Sequence, residues 1–145
     1  MLNREKIIVL LLGLMSLFYL ISGVALYFFS QLTFDTMPGY YGVFNNHFIK
    51  DAGLAFSSSG ILLAIALFRE NERLSFSFCA SIFVVLHGLF HVQMLLGGMI
   101  PGEYVAYELM QVIVPAIVLM VLIGAMYYGK TINTEIEYNK GINPP

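Results

Sequence analysis

The sequence predicts an all-α fold, a four-helix transmembrane bundle with both termini in the cytoplasm. Of its 145 residues, 59% are hydrophobic and only 11% are charged, whereas a soluble domain normally carries about twice that charged fraction. Four apolar runs are each long enough to cross a bilayer, which takes about 20 helical residues. Lysine and arginine are also distributed unevenly among the connections, as the positive-inside rule requires of a membrane protein. These observations exclude a soluble globular domain.

The first apolar run, IIVLLLGLMSLFYLISGVALYFF at 7–29, is too long for a cleaved signal peptide, whose apolar core usually has about 7 to 15 residues. We therefore expect it to remain as the first span. The other spans are predicted at 46–68, 74–98 and 104–128. Together the four spans form a membrane domain at 1–129, which is followed by a polar, loosely ordered cytoplasmic tail at 130–145.

The orientation follows from the basic residues. They occur at the N-terminus, in the second connection and in the tail, at Arg4, Lys6, Arg69, Arg73, Lys130 and Lys140. Neither the first nor the third connection contains any, so both termini and the second connection are predicted to be cytoplasmic. Lys50 is the exception, and it can extend outward from a helix end. An outer aromatic belt is expected at Tyr40, Tyr41, Tyr104 and Tyr107.

Charge and cysteine content exclude two further classes of interaction. The net charge is −2 and the sequence has no basic stripe, so no nucleic-acid partner is expected. Cys79 is the single cysteine and cannot form an internal disulfide. The partner that the composition does predict is the lipid bilayer.

Ionisable side chains inside the predicted spans are concentrated in one layer. At about 1.5 Å per residue, Asp51, His91 and Glu108 fall roughly 5 to 10 Å below the outer boundary, and His87 lies about one turn deeper. His47 completes the three histidines of the chain. Because ionisable groups are costly in hydrocarbon, a layer that contains every histidine indicates a shared role.

Spacing within the sequence strengthens this inference. Residues three or four apart share a face of a helix, and three such pairs occur, one on each of three spans: His47 with Asp51, His87 with His91, and Glu108 with Gln111.

Three helices that each offer a polar face to a common centre are typical of metal-binding four-helix bundles. Neutral imidazole suits copper, zinc and iron, and carboxylates complete such ligand sets. We therefore hypothesise a transition-metal site that opens outward. Its ligands would be His47, His87, His91 and Asp51, with Glu108 as a fifth ligand or as the group that orients a ligating histidine.

Other interpretations use the same residues. A buried polar network without metal would tie the helices together. Haem would need two histidines facing each other across the bundle, such as His47 with His87 or His91. A proton relay or a quinone-type pocket would need no metal.

The segments NNHFIKDAG and LHGLFH resemble those of small four-span bacterial membrane proteins that carry an HFxxDxG segment at the second span and an HxxFH-like segment in the third. The resemblance implies a four-span fold and a bacterial inner membrane, and it picks out His47, Asp51, Gly53, His87 and His91. In its general architecture the chain is also similar to DoxX-like four-helix proteins. Architecture alone carries little functional weight.

Two functional hypotheses from different classes follow. The first is a metalloprotein of redox or hydrolytic type that acts on a small or lipid-soluble molecule from the outer side. The second is a non-catalytic accessory subunit of a larger membrane complex, or of a homo-oligomer, in which the polar layer is structural. No nucleophile elbow, phosphate loop or dinucleotide fingerprint occurs in the sequence, so the enzyme class is left open.

Overall fold

The computed structural model describes the backbone of residues 3–142 and the side chains of residues 3–132. Within this part, four helices are long and apolar enough to cross a membrane, which confirms the predicted all-α four-helix fold. The elements in chain order are α1 (Arg4–Phe28), α2 (Ser30–Asp35), α3 (Asn46–Phe68), α4 (Arg73–Leu96), α5 (Val105–Glu108), a π-helical segment (Leu109–Ile113) and α6 (Val114–Ile142). Single 3₁₀ turns at Gly39–Tyr41, Glu70–Glu72 and Gly102–Tyr104 lie in the connections.

Asparagine side chains define where two of the spans begin. The side chain of Asn3 accepts a hydrogen bond from the backbone N–H of Lys6 at 3.0 Å. That of Asn45 accepts one from the N–H of Phe48 at 3.1 Å. Each bond satisfies one of the free N–H groups of a first helical turn, so α1 and α3 start directly after these residues.

The last helix is longer than the sequence predicts. The fourth span is expected to end near residue 128, but α6 continues to Ile142. Between Gly129 and Gly141 the sequence contains neither proline nor glycine, so nothing there strongly opposes a helix. Most of the predicted tail therefore has a helical backbone, and its residues 143–145 lie outside the described part.

The surface of the bundle is apolar. In each span no more than 33% of the most hydrophobic stretch is buried inside the protein. Leucines such as Leu12, Leu63 and Leu119 are fully buried, but many others, among them Leu14 and Leu86, are more than half exposed. Water does not solvate such a surface favourably, so these faces lie against lipid, as in an integral membrane protein.

Helices α1 and α3 approach each other through glycine. A Cβ atom at Gly23 would lie 2.3 Å from Ser57 Oγ and 2.6 Å from the Gly53 carbonyl oxygen. About two turns closer to the N-terminus of α1, Ser16 Oγ donates to the Gly60 carbonyl at 2.9 Å. Small residues allow this close backbone contact, which supplies van der Waals energy where lipid supplies no hydrophobic drive between helices.

The two ends of the bundle differ chemically. One end, called the arginine end here, carries Arg4, Arg69 and Arg73, and there the Arg4 guanidinium donates to the Ala125 carbonyl of α6. The opposite end, called the tyrosine end, carries the connection between α2 and α3. At that end the Tyr40 ring lies 4.8 Å from Tyr41 and 5.4 Å from Tyr104 between ring centroids.

Gly23→Ala tests the close contact between α1 and α3. Its methyl group would meet backbone atoms of α3 at 2.6 Å, and relieving the overlap should destabilise the fold by about 1 to 3 kcal/mol. Thermal unfolding of the detergent-solubilised protein measures this. Gly124→Ala is the control, because nothing lies within 4 Å of a Cβ there. Equal effects of the two substitutions would contradict the packing described.

Candidate functional site

The side chain of Glu108, the last residue of α5, is fully buried. A buried carboxylate must be paired and hydrogen-bonded to be tolerated. Here Oε1 accepts hydrogen bonds from the hydroxyl groups of Tyr40 and Tyr41, and Oε2 is bound to Nδ1 of His91. Both carboxylate oxygens therefore have partners supplied by other segments of the chain.

A π-helical segment directly follows Glu108. Pro115 has no N–H with which to continue the α-helical pattern, and the preceding N–H of Val114 donates to the carbonyl of Leu109, five residues back. The wider turn changes the register, so Glu108 is buried while Gln111 is exposed. The prediction that these two side chains share a face is therefore wrong. Single π turns inside helices occur frequently at functional sites.

His91 on α4 is 2% exposed. Because an ionised carboxylate can only accept, the bond between the Glu108 carboxylate and a neutral His91 places the ring proton on Nδ1. The lone pair of the ring is then on Nε2. The Tyr41 and Phe90 rings lie 6.1 and 5.6 Å from the imidazole, measured between centroids, so aromatic groups from two segments enclose it.

His87 lies one turn before His91 on α4, on the side of the arginine end. Its ring centroid is 4.6 Å from that of His91, which places the two rings side by side, as their spacing predicts. The His87 ring stacks on Phe83 at 5.5 Å and meets Phe56 edge-on at 5.4 Å. Within the described residues its nitrogens make no hydrogen bond.

An unsatisfied hydroxyl group lies close to this aromatic layer. The Tyr19 ring on α1 stacks on Phe56 at 5.9 Å, and its hydroxyl is buried without a hydrogen-bond partner in the described part of the chain. Native proteins rarely leave such a group unpaired. Phe56 thus lies between His87 and Tyr19, whose hydroxyl group is a second buried polar group near the histidines.

The structure places His47 and Asp51 away from these residues. Their side chains form the predicted i,i+4 pair, with 2.8 Å between Nδ1 and Oδ2, but they are 85% and 59% exposed. The buried face of α3 at this level consists of Ile49 and Gly53. Residues offset from these by two positions point to roughly the opposite side of a helix, and so His47 and Asp51 face outward.

Tyr40 and Tyr41 complete the candidate site, although the sequence predicts them only as members of an interfacial aromatic belt. The 3₁₀ turn at Gly39–Tyr41 points both hydroxyl groups at Glu108. The only sequence signal was indirect, a carboxylate inside a predicted span, which needs hydrogen-bond donors when it is buried. We refer to Tyr40, Tyr41, His87, His91 and Glu108 as the Glu108 cluster.

The Glu108 cluster has a limited capacity for metal. Among the described residues, no group of three or more histidine, cysteine, aspartate or glutamate side chains is arranged to hold an ion. The cluster instead offers two adjacent imidazoles. Glu108 engages one of them through Nδ1, as carboxylates do when they orient a metal-ligating histidine.

Comparison with known proteins adds no functional assignment. No protein-family model matches the chain, and neither a curated protein nor a solved structure matches it. The resemblance of the two histidine motifs to small bacterial membrane proteins therefore stays a prediction.

Truncating Glu108 tests how much its side chain contributes to the stability of the fold. Glu108→Ala removes the shared acceptor of two tyrosines and of His91, and should destabilise the fold by on the order of 3 kcal/mol. Unfolding in detergent measures the change. Glu103→Ala, at an exposed position five residues earlier, should shift stability by less than about 0.5 kcal/mol. Similar losses in both variants would contradict the role of the cluster.

The two tyrosines predict a dependence of stability on alkaline pH. Burial raises the pKa of Tyr41 above its ordinary value of 10.0, and the hydrogen bond to the Glu108 carboxylate raises it further. Burial and that bond raise the pKa of Tyr40 in the same direction. The unfolded chain then releases these protons at a lower pH than the folded chain, so stability falls as the pH rises above about 10.

Melting temperatures measured in detergent from neutral to strongly alkaline pH test this dependence. The double variant Tyr40→Phe/Tyr41→Phe should begin less stable and decline less steeply above about pH 10. Tyr127→Phe, at a position that is 65% exposed, controls for the loss of a phenol and should keep the wild-type slope. An identical slope in the double variant would refute the coupling.

Proposed function

We propose that the chain is an integral membrane protein that binds a transition metal ion at His87 and His91, in the tyrosine-end half of its helix bundle. The observation that carries the proposal is the buried bond between Glu108 Oε2 and His91 Nδ1. In metal sites, a carboxylate on the second nitrogen fixes the tautomer and orientation of the ligating ring and raises its basicity.

The second donor is His87. It shares a face of α4 with His91, and its ring nitrogens make no hydrogen bond to the described residues. Copper, zinc and iron all accept imidazole ligands, so the donor set does not select one of them. When bound, such an ion supplies Lewis-acid or redox chemistry, and the protein would then be a redox or hydrolytic metalloenzyme.

The residues of this chain have separate roles in the proposed site. Glu108 holds the His91 proton at Nδ1, so the lone pair of Nε2 is available to bind the metal ion. Tyr40 and Tyr41 donate to the other carboxylate oxygen and keep Glu108 from rotating away. Phe56 and Phe83 enclose His87 and exclude water from one side.

The ligand set predicted from the sequence also contains His47 and Asp51. These two are not ligands in this proposal, because both side chains face outward.

We further propose that the arginine end faces the cytoplasm across a bacterial inner membrane. All three arginines of the chain lie there, in agreement with the positive-inside rule. Residues Tyr40 and Tyr41 would then close the cluster on the outer side of the membrane, from which a small or lipid-soluble molecule would approach.

A second candidate is a non-catalytic subunit of a larger membrane complex. The observation that favours it is the complete pairing of the Glu108 carboxylate within the chain. A network whose donors and acceptors satisfy each other stabilises one arrangement of helices without any ligand. The haem alternative lacks such support, because His47 is 85% exposed while His91 is buried.

Metal content of the purified protein distinguishes the two candidates. Full-length protein, solubilised from cells supplied with copper, zinc and iron, should contain stoichiometric metal by elemental analysis. His87→Ala and His91→Ala should each lose it, and Glu108→Gln should weaken affinity about 10- to 100-fold. His47→Ala is the matched control and should retain the metal.

The possible outcomes have distinct meanings. A folded wild-type protein without metal, recovered in a stable complex with another membrane protein, would support the subunit and overturn the metal site. Loss of metal in His47→Ala as well would overturn the two-histidine assignment and favour the larger ligand set predicted from the sequence. Melting temperatures of all variants show whether a loss of metal reflects a loss of fold.

A further inference from the structure

A cavity of about 620 Å³ opens at the arginine end, far from the Glu108 cluster. It lies between the first turn of α1, the start of α4 and the part of α6 near Lys130. Its walls carry three cationic side chains, Arg4, Arg73 and Lys130, and two carboxylates, Glu5 and Glu70. The formal charge of the lining is therefore +1, since three cations meet two anions.

Arg73 is the most enclosed of these cations, with a side chain that is 13% exposed. Its Nε donates to the Ala66 carbonyl at 3.2 Å, and its Nη1 lies 3.5 Å from Glu5 Oε1. These contacts hold the guanidinium in place. Its Nη2 makes no hydrogen bond to any residue in the described range, so the N–H groups of this nitrogen remain for an anion.

Arg4 is held on the opposite wall. Its guanidinium donates to the Ala125 carbonyl and lies so close to Gly129 that a Cβ there would be 2.4 Å from Nη1 and from Nη2. Because Gly129 has no side chain, the Arg4 guanidinium can lie directly against α6. The first residues of α1 and of α4 thus each place a guanidinium group at one cavity.

The start of α4 adds to the positive potential. Leu74 and Ser75 of its first turn line the cavity, and within the described chain no side chain caps this turn. The first N–H groups of a helix and its dipole favour an anion, with an effect equivalent to about half a positive charge. Combined with the lining charge, this suits one singly charged phosphate diester better than a more highly charged ligand.

Apolar residues complete the cavity. Ile8 of α1 and Met126 of α6 form part of its lining, and both belong to membrane-spanning helices. The cavity therefore lies where the spans end, at the depth of lipid headgroups, with a polar mouth next to apolar walls. A soluble phosphate would use only the polar part of this surface.

We propose that this cavity binds the phosphodiester headgroup of an anionic phospholipid such as phosphatidylglycerol. Arg4, Arg73 and Lys130 contact the phosphate, and the apolar wall contacts the start of the acyl chains. Basic pockets between transmembrane helices are known to bind anionic headgroups. This site is independent of the proposed metal site, because it shares no residue with the Glu108 cluster.

Native mass spectrometry of the full-length protein in detergent tests the proposal by titration with phosphatidylglycerol or with zwitterionic phosphatidylcholine. Phosphatidylglycerol should bind on the order of tenfold more tightly. Lys130→Gln and Arg4→Gln should each weaken its binding about fivefold. Arg69→Gln is the matched control, since it removes the same charge at the same end but lies outside the cavity lining, 3.9 Å from Glu72, and should leave binding unchanged.

Three results would overturn the proposal. Equal affinity for the two lipids would show that the headgroup charge is not recognised. Equal weakening by Arg69→Gln and Lys130→Gln would show that only the general surface charge matters. Displacement of the lipid by millimolar inorganic phosphate would assign the cavity to a soluble phosphate. Two test variants are used so that a folding defect in one of them leaves the result interpretable.

Discussion

The pairing of one buried carboxylate is the constraint on which the tyrosine-end half of this protein depends. Removing a charged group from water costs several kcal/mol unless partners compensate it, and Glu108 is completely buried. Its partners come from the first connection and from α4. The connection must therefore fold back over the bundle, and α4 must turn His91 inward. The π turn between α5 and α6 must direct Glu108 to meet them.

The rest of the bundle is stabilised by a different kind of contact. Lipid tails are as apolar as leucine, so burying leucine between membrane helices gains little. Close backbone approach at Gly23 and Gly53 supplies dispersion energy instead. The α1–α3 contact thus depends on the absence of side chains, whereas the contact of α4 with α5 depends on specific polar groups. The arginine end adds a third kind, in which guanidinium groups bind carbonyl oxygens of neighbouring helices.

Hydropathy alone was sufficient to predict the four spans, because their length and composition are set by the bilayer. The depth of ionisable residues along each helix was enough to place Glu108 at the level of His91, which it contacts. Depth does not give the direction in which a side chain points, and this is why the convergence of His47 with the other histidines could not be judged from the sequence. The predicted orientation of the Gln111 side chain was wrong because of the π turn, which no hydrophobic pattern reveals. The tyrosine donors lie 67 and 68 residues from their acceptor, beyond any local pattern.

That separation along the chain has a consequence for biogenesis. A polypeptide enters the membrane from its N-terminus, so Tyr40 and Tyr41 leave the ribosome long before the carboxylate that they bind. The connection that carries them has no acceptor of this kind until the final span arrives. Insertion of that span therefore completes two events at once, the hydrogen bonding of its own acidic residue and the ordering of a loop made earlier. The last step of assembly therefore closes the tyrosine end of the bundle.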